Sequence, residues 1–404
     1  MISVEEAQRR VLSAFKPIDA ELEDLVHLAG RIAAEDIRAR GDNPPMSIAT
    51  VDGYAVRQSD SDAPRKIVGK ATPGHPYFDT VGVNEAVRIA IGGVMPNGTD
   101  ALVTVDNAEA AGEVVHFRTT AVQPDFVRHA GHDFKSGSVL VQAGKRITAR
   151  DMALLAAGGI AQAKVRRRPR VAIASVGDEL SAPGEDRRDG DIYACTGYGL
   201  SAMIQTWGGA PCDFGILEDN AEEIATIADA DAELVVTLGG NSVGNTELVA
   251  RALGTTDFAM ETWKVAYRPG RPLLFGQLGG TPMLGLPGNP ASALVCALLF
   301  IRPSLDVMLG TQQRSCSLPQ RIKCGCQSMT ARLSSGLPAT DERRTYVRAS
   351  LVTEGGEVWA EPYPVLDYPM LSVLAKADAL IVLPPGAPEA KAGDRVEVIP
   401  LDGY

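Results

Sequence analysis

Three short apolar runs between Val171 and Pro290, each followed by a glycine-bearing polar turn, constrain this chain more than any other feature. The first, Val171 to Leu180, ends in Gly177 and then presents Asp178 and Glu179. The second, Ala232 to Val249, is apolar from Leu234 to Val236 and then passes through Thr237, Gly239, Gly240, Asn241, Ser242 and Gly244 before a helical pattern resumes. The third, Thr281 to Phe300, runs into Pro287-Gly288-Asn289-Pro290 and a helix. This alternation predicts a parallel sheet whose strand ends converge on one rim, where open sheets place their ligands and where helix N-termini offer free N–H groups to anions. A phosphate-rich ligand is the expected occupant, and tight turn geometry alone is the alternative account of the glycines. None of the three turns is a GxxxxGK[ST] or a GxGxxG, so a nucleotide-hydrolase or dinucleotide reading lacks its motif.

Composition narrows the partners. With 404 residues the chain exceeds one ordinary core and predicts several domains. A net charge of −11 argues against nucleic acid or an anionic membrane as the main partner, while leaving room for a local basic pocket. The sequence shows no apolar run approaching the ~20 residues of a membrane helix, and its first residues, MISVEEAQRR, lack a leader's apolar stretch, so a cytoplasmic location is expected. Of the six cysteines only Cys324 and Cys326 are close, too few for a zinc site without a nearby histidine.

Along the chain, Ser3 precedes an amphipathic helix carrying Ala7, Val11, Leu12 and Phe15 that Pro17 closes. Asp42-Asn43-Pro44-Pro45 forces an extended loop, and Asp52 follows at a strand start beside Gly53. From Lys66 to Leu140, short strands with polar turns (Ala86 to Ile91, Ala101 to Val105, Val114 to Phe117, Asp125 to Arg128) predict a small β unit. A basic run, Lys164 to Arg170, reads as a solvated entry to the central strand. Pro303 is expected to end the central helix, and residues 314–404 read as short strands joined by Gly/Pro turns.

Several segments, in this order, resemble signatures of the molybdopterin molybdenumtransferase family, whose eukaryotic relative is the C-terminal domain of gephyrin. They are Val51-Asp52-Gly53-Tyr54-Ala55-Val56-Arg57, Ser175 to Leu180, Gly239 to Gly244, Arg268-Pro269-Gly270-Arg271-Pro272 and Gly285 to Pro290. The resemblance spans essentially the whole chain. It implies a multidomain α/β fold with a central, mostly parallel three-layer α/β/α domain (171–313). Around it are expected a discontinuous, elongated N-terminal domain (1–45 and 141–170), an inserted small β domain (46–140) and a C-terminal β-barrel-like domain (314–404).

The resemblance also implies transfer of molybdenum from molybdate to adenylylated molybdopterin, with Mg²⁺ and release of AMP. Asp52, Glu179, Lys264 and Arg268 are the implied catalytic residues. Asp133, Gly177, Gly239, Gly240, Ser242, Gly244, Arg271, Pro287, Gly288 and Asn289 are implied to bind the pterin ligand, and Asp178, Glu179, Glu233 and Glu247 the metal. A homodimer is expected, with Asp52 serving the partner's rim, along with transient contact with molybdoenzymes or their chaperones. The chain departs from the family at Met46 to Thr50, Ile91, His132, Ala194 to Thr196, Asn241, Asn245, Tyr368 and Pro369, and has Glu233 and Glu247 where aspartates are usual. Those departures leave a second reading open: a protein of the same fold that binds or delivers the cofactor without turnover. A gephyrin-like scaffold is a third.

Overall fold

The computed structural model describes residues 1–60, 63–118, 123–239, 258–269, 273–278, 280–311, 328–364 and 370–401, with 258–263 described in backbone only. The chain divides into two compact units, one of Met1–Glu21 with Arg166–Tyr404 and one of Leu22–Val165.

In the first unit the predicted sheet is present. Its strands lie in the order Ala210–Leu217, Arg170–Val176, Leu234–Gly239, Thr281–Leu286, Leu273–Leu278 and Phe258–Trp263. The first four run parallel, Leu273–Leu278 runs antiparallel to them, and Phe258–Trp263, antiparallel to Leu273–Leu278, runs with the first four. Side chains alternate across the sheet. Val171, Ile173, Leu234, Val236 and Leu238 pack beneath the helices Thr196–Trp207 and Pro290–Leu309, and Ala172, Ala174, Val176 and Val235 pack on the opposite face against Ile224 and Ile227.

Two expectations are corrected here. Pro303 does not end the helix: a π-type turn at Ala297–Ile301 shifts the hydrogen-bond ladder and places Pro303 in the first turn of Arg302–Leu309, where its missing N–H costs nothing. The helical run Pro290–Leu309 is therefore 20 residues long with mean hydropathy 1.8, long and apolar enough to cross a membrane by composition. In this fold 78% of that window is buried inside the protein. The first helix, Val4–Ser13, capped by the Ser3 hydroxyl on the Glu6 N–H at 3.1 Å, belongs with the central unit rather than with residues 22–45. Its stripe of Val4, Ala7 and Val11, with Phe15 just past its end, is buried in the same core as Leu299 and Phe300.

The C-terminal strands close on themselves. Arg344–Glu354 pairs with Glu357–Pro362, then in turn come Met329–Leu333, Arg395–Pro400 and Ala379–Leu383, and the last pairs back with Arg344–Glu354. Ala331, Leu333, Val347, Ala349, Ile381 and Val398 fill the interior, while Tyr346, Leu380 and Ile399 alternate outward into the central core.

The second unit holds a six-stranded sheet in the order Ala101–Thr104, Gly53–Val56, Glu85–Ile89, Arg65–Ala71, Val114–Phe117 and Ala108–Ala111. Both its faces are apolar, Ala55, Ala71, Val87 and Ile89 on one and Tyr54, Val56, Ala86 and Val103 on the other. A separate cluster of Leu28, Ile37, Val141, Ile147 and Leu155 surrounds the helix Ala149–Ala157, whose start is fixed by a reciprocal Thr148–Asp151 cap.

Candidate active site

The site is built from strand ends. Val176 is paired with Gly239, and Leu238 with Leu286, so the chain leaves three neighbouring strands at one level. Space there is minimal. A Cβ on Gly239 would lie 2.5 Å from the Val176 carbonyl oxygen, and one on Gly288 would lie 3.5 Å from the Gly239 Cα. With its φ of +88°, Gly239 also has a backbone that L side chains rarely adopt. Backbone therefore lines the rim. Asn289 caps the following helix by accepting the Ser292 N–H at 3.0 Å.

Asp178 and Glu179 sit at the same level. Asp178 accepts the Asp219 N–H through Oδ1 at 2.8 Å, and its own carbonyl accepts Arg188 Nη2 at 3.0 Å. The Glu179 carboxylate turns back over Gly177, reaching within 3 Å of where a Cβ would stand, and has no hydrogen-bond or ion-pair partner among the described residues. Beyond it, Leu180–Ser181 pairs in parallel with Ile192–Tyr193, closing a small flap that Ser181 and Arg188 tie to Asp191 at 3.0 and 2.9 Å. The flap delivers the chain to Cys195, which opens the helix Thr196–Trp207 without a side-chain cap. This helix start holds Ala194, Cys195 and Thr196, one of the departures noted from the sequence.

Lys264 follows Trp263, whose partner is Leu273, so it emerges at the rim end of the sheet, two strand spacings or roughly 10 Å from the end of Thr281–Leu286. It is exposed and lacks an ion-pair partner among the described residues. Arg268, by contrast, is paired with Asp341 at 3.0 Å.

Glu233 requires a correction. It stands at the opposite end of its strand, about 20 Å from Gly239 at ~3.3 Å per residue. There it accepts the Arg170 N–H at 2.6 Å and Arg167 Nη2 at 2.8 Å, absorbing the basic run that the sequence left solvated. Arg170 also pairs with Asp231. The carboxyl is a structural anchor and not a metal ligand. Burial raises its pKa, but the Arg167 and Arg170 hydrogen bonds outweigh this and hold it below the usual range. The stabilisation is thus present above the unfolded-chain value near ~4.3 and fades as pH falls through the depressed folded value. Glu233→Gln is expected to lower unfolding free energy by about 1 kcal/mol at pH 7, with a smaller difference from wild type near pH 3 and no change in ligand binding, as urea titrations will show.

Asp52 and Asp133 lie in the second unit. Asp52 is exposed, and its Oδ1 accepts the Ile91 N–H at 2.8 Å. Asp133 accepts Asn43 Nδ2 at 3.0 Å. Gly240, Ser242, Gly244, Glu247, Arg271, Cys316, Cys324 and Cys326 fall outside the described residues, as do the departures at Asn241, Asn245, Tyr368 and Pro369. Among the described residues no group of three or more His, Cys, Asp or Glu is placed to hold a metal alone. Sequence reasoning missed the anchoring partners Ile91, Asp219 and Asp341, because a backbone N–H or a distant counter-ion leaves no local motif.

A glycine-lined sheet rim bearing the Glu179 carboxylate and the Lys264 ammonium, in a chain with a β-rich second unit and a closed C-terminal barrel, defines a multidomain α/β protein. Residues 2–159 match the MoeA N-terminal region (domain I and II), 172–307 a probable molybdopterin binding domain, and 330–401 the MoeA C-terminal region (domain IV). Over 412 residues the chain is 29% identical to the molybdopterin molybdenumtransferase of Haemophilus influenzae, covering 100% of this chain and 99% of that one. Over 420 residues it is 30% identical to molybdopterin molybdenumtransferase 2 of Mycobacterium tuberculosis H37Rv, covering 98% and 99%. A molybdopterin biosynthesis MoeA protein from Pyrococcus horikosii superposes with a TM-score of 0.85 at 30% identity over 100% of both chains. The chain belongs to the MoeA family, the molybdopterin molybdenumtransferases.

Proposed function

We infer that this enzyme inserts molybdenum from molybdate into adenylylated molybdopterin and releases AMP. The observation that carries the reading is the convergence at one rim of the Gly239 and Pro287-Gly288-Asn289 turns with the Glu179 carboxylate and the Lys264 ammonium, neither of which has an ion-pair partner among the described residues. The turns offer backbone to a phosphate-bearing ligand at close range. Lys264 attracts the oxyanion, and Arg268, held by Asp341, contributes less.

Asp178 and Glu179 fit a Mg²⁺ ion, which binds through one or two carboxylates and takes its remaining ligands from water and substrate phosphates. Two adjacent carboxylates at the rim, one of them without a partner among the described residues, meet that need without a third protein ligand. When bound, the ion neutralises charge on the phosphoryl oxygens.

Asp52 is read as acting across a homodimer, on the partner's rim. Its exposed carboxylate is oriented by the Ile91 N–H, and the Ile91 side chain is itself exposed. A cytoplasmic location and passage of the product to molybdoenzymes or their chaperones complete the proposal.

Purified protein with Mg²⁺, molybdate and adenylylated molybdopterin is expected to release AMP in proportion to enzyme. Binding of the pterin without AMP release would select the delivery reading that the Ala194-Cys195-Thr196 departure keeps open. Mixing Asp52→Asn with Glu179→Gln protein is expected to restore activity, because a mixed dimer regains one intact site. No recovery after subunit exchange would count against the shared site.

A further inference from the structure

The strap that carries Lys264 is held from several sides by its own unit. On one side Ile2 forms a parallel bridge with Val265. The Ile2 N–H donates to the Lys264 carbonyl at 3.1 Å, and the Ala266 N–H donates to the Ile2 carbonyl at 2.9 Å. On the other side Tyr267 and Arg268 pair in parallel with Arg344 and Thr345, and the Arg344 N–H donates to the Ala266 carbonyl at 3.0 Å. Glu5 joins the two sides through an ion pair with Arg344 at 2.5 Å. Below, the buried Tyr267 hydroxyl meets Cys296 Sγ at 2.5 Å, on the helix that follows the Pro287-Gly288-Asn289 turn. Burial pushes that thiol up to about 12, so it stays protonated and serves as a fixed contact only.

A lysine is a compact charge on a flexible four-carbon stem, and an exposed one without an ion-pair partner takes its placement from its backbone. The Lys264 backbone is fixed by the Ile2 N–H. We propose that the segment Ile2–Glu5 is a positioning element of the oxyanion subsite, setting the Lys264 ammonium at the rim through the Ile2–Val265 bridge. This rests on the reading that Lys264 meets molybdate. The helix Val4–Ser13, seated in the central core by Val4, Ala7 and Val11 and by Gln8 Nε2 donating to the Leu299 carbonyl at 2.7 Å, gives the bridge a rigid base.

Ile2→Pro removes the N–H that reaches Lys264 and keeps the carbonyl, whereas Ile2→Ala keeps both. The first is expected to raise the KM for molybdate roughly five- to tenfold, the effect of one misplaced charged contact, and the second to behave as wild type. The KM for adenylylated molybdopterin and the circular-dichroism spectrum should stay unchanged in both, a split that loss of fold would not produce. Lys264→Ala separates the two levels of the argument. If it raises the molybdate KM and Ile2→Pro does not, the positioning role is overturned and the subsite stands; if Lys264→Ala has no effect, both fall. Equal shifts in Ile2→Ala and Ile2→Pro would trace the effect to side-chain packing and overturn the proposal. Should Ile2→Pro fail to fold, Glu5→Gln, which loosens Arg344, carries the test: a rise confined to the molybdate KM supports the role, and no rise overturns it.

Discussion

Glu179→Gln is expected to lower AMP release by ~10²–10³-fold while adenylylated molybdopterin binds nearly as in wild type. The substitution keeps the volume and hydrogen-bonding capacity of the side chain and removes one charge at the end of the Arg170–Val176 strand. Asp178 does not replace it, since one of its oxygens already accepts the Asp219 N–H. The pterin ligand keeps the Gly239 and Gly288 backbone on the neighbouring strands, so its affinity is the quantity that should hold. Single-turnover AMP release at several Mg²⁺ concentrations checks this: the variant should need far more Mg²⁺ or reach a lower plateau. A wild-type Mg²⁺ dependence in Glu179→Gln would move the ion elsewhere, with Glu247 the next carboxylate to replace.

Gly239→Ala is expected to cost ~2–4 kcal/mol of stability, among the largest single effects available at the rim. Two independent penalties coincide. The added Cβ would stand 2.5 Å from the Val176 carbonyl oxygen, a backbone atom that cannot swing aside, and the residue would be held at φ +88°. Relief requires parting two hydrogen-bonded central strands or moving Gly288, whose own Cβ position is 3.5 Å from Gly239. Urea unfolding should show a lower midpoint with an unchanged m-value, and the surviving folded protein should bind the pterin ligand weakly. Gly184, which has nothing within 4 Å of its Cβ position, gives the matched control: its φ of +94° carries the backbone penalty without the clash, so Gly184→Ala should cost less.

The parallel core was legible because each strand is a closed apolar run punctuated by glycine, and that grammar alone brings Val176, Gly239 and Leu286 to one level. What could not be read was which end of a strand a flanking residue occupies. Glu233 and Asp178 both flank strands and both carry carboxylates, yet one anchors Arg167 and Arg170 below the sheet and the other stands at the rim. Pro303 misled for a similar reason: a proline stops a helix only when its N–H is needed, and a π-type turn one step earlier removes the need. The first helix was recognised from its spacing, but an amphipathic stripe does not say which core it will join. The antiparallel pair Phe258–Trp263 and Leu273–Leu278 escaped because Glu261 and Thr262 break the apolar pattern of the first strand and Gly276 and Gln277 that of the second.

The order of the central sheet has one more consequence, for how the protein behaves when crowded. Among the described residues the C-terminal strands form a closed ring, but the central sheet leaves Ala210–Leu217 paired on only one side. Such a margin is a template for strand addition by a second chain. Here it is interrupted along its length: Pro211 removes a donor near its start, and between Asp213 and Ile216 the register slips by one residue. At the slip Gly215 turns to φ +76° and gives its N–H to the exposed Asp213 carboxylate at 2.8 Å. A proline, a bulge and a carboxylate within five residues leave an incoming strand no unbroken stretch to match, so this margin resists the fibrous self-association that a straight one would invite.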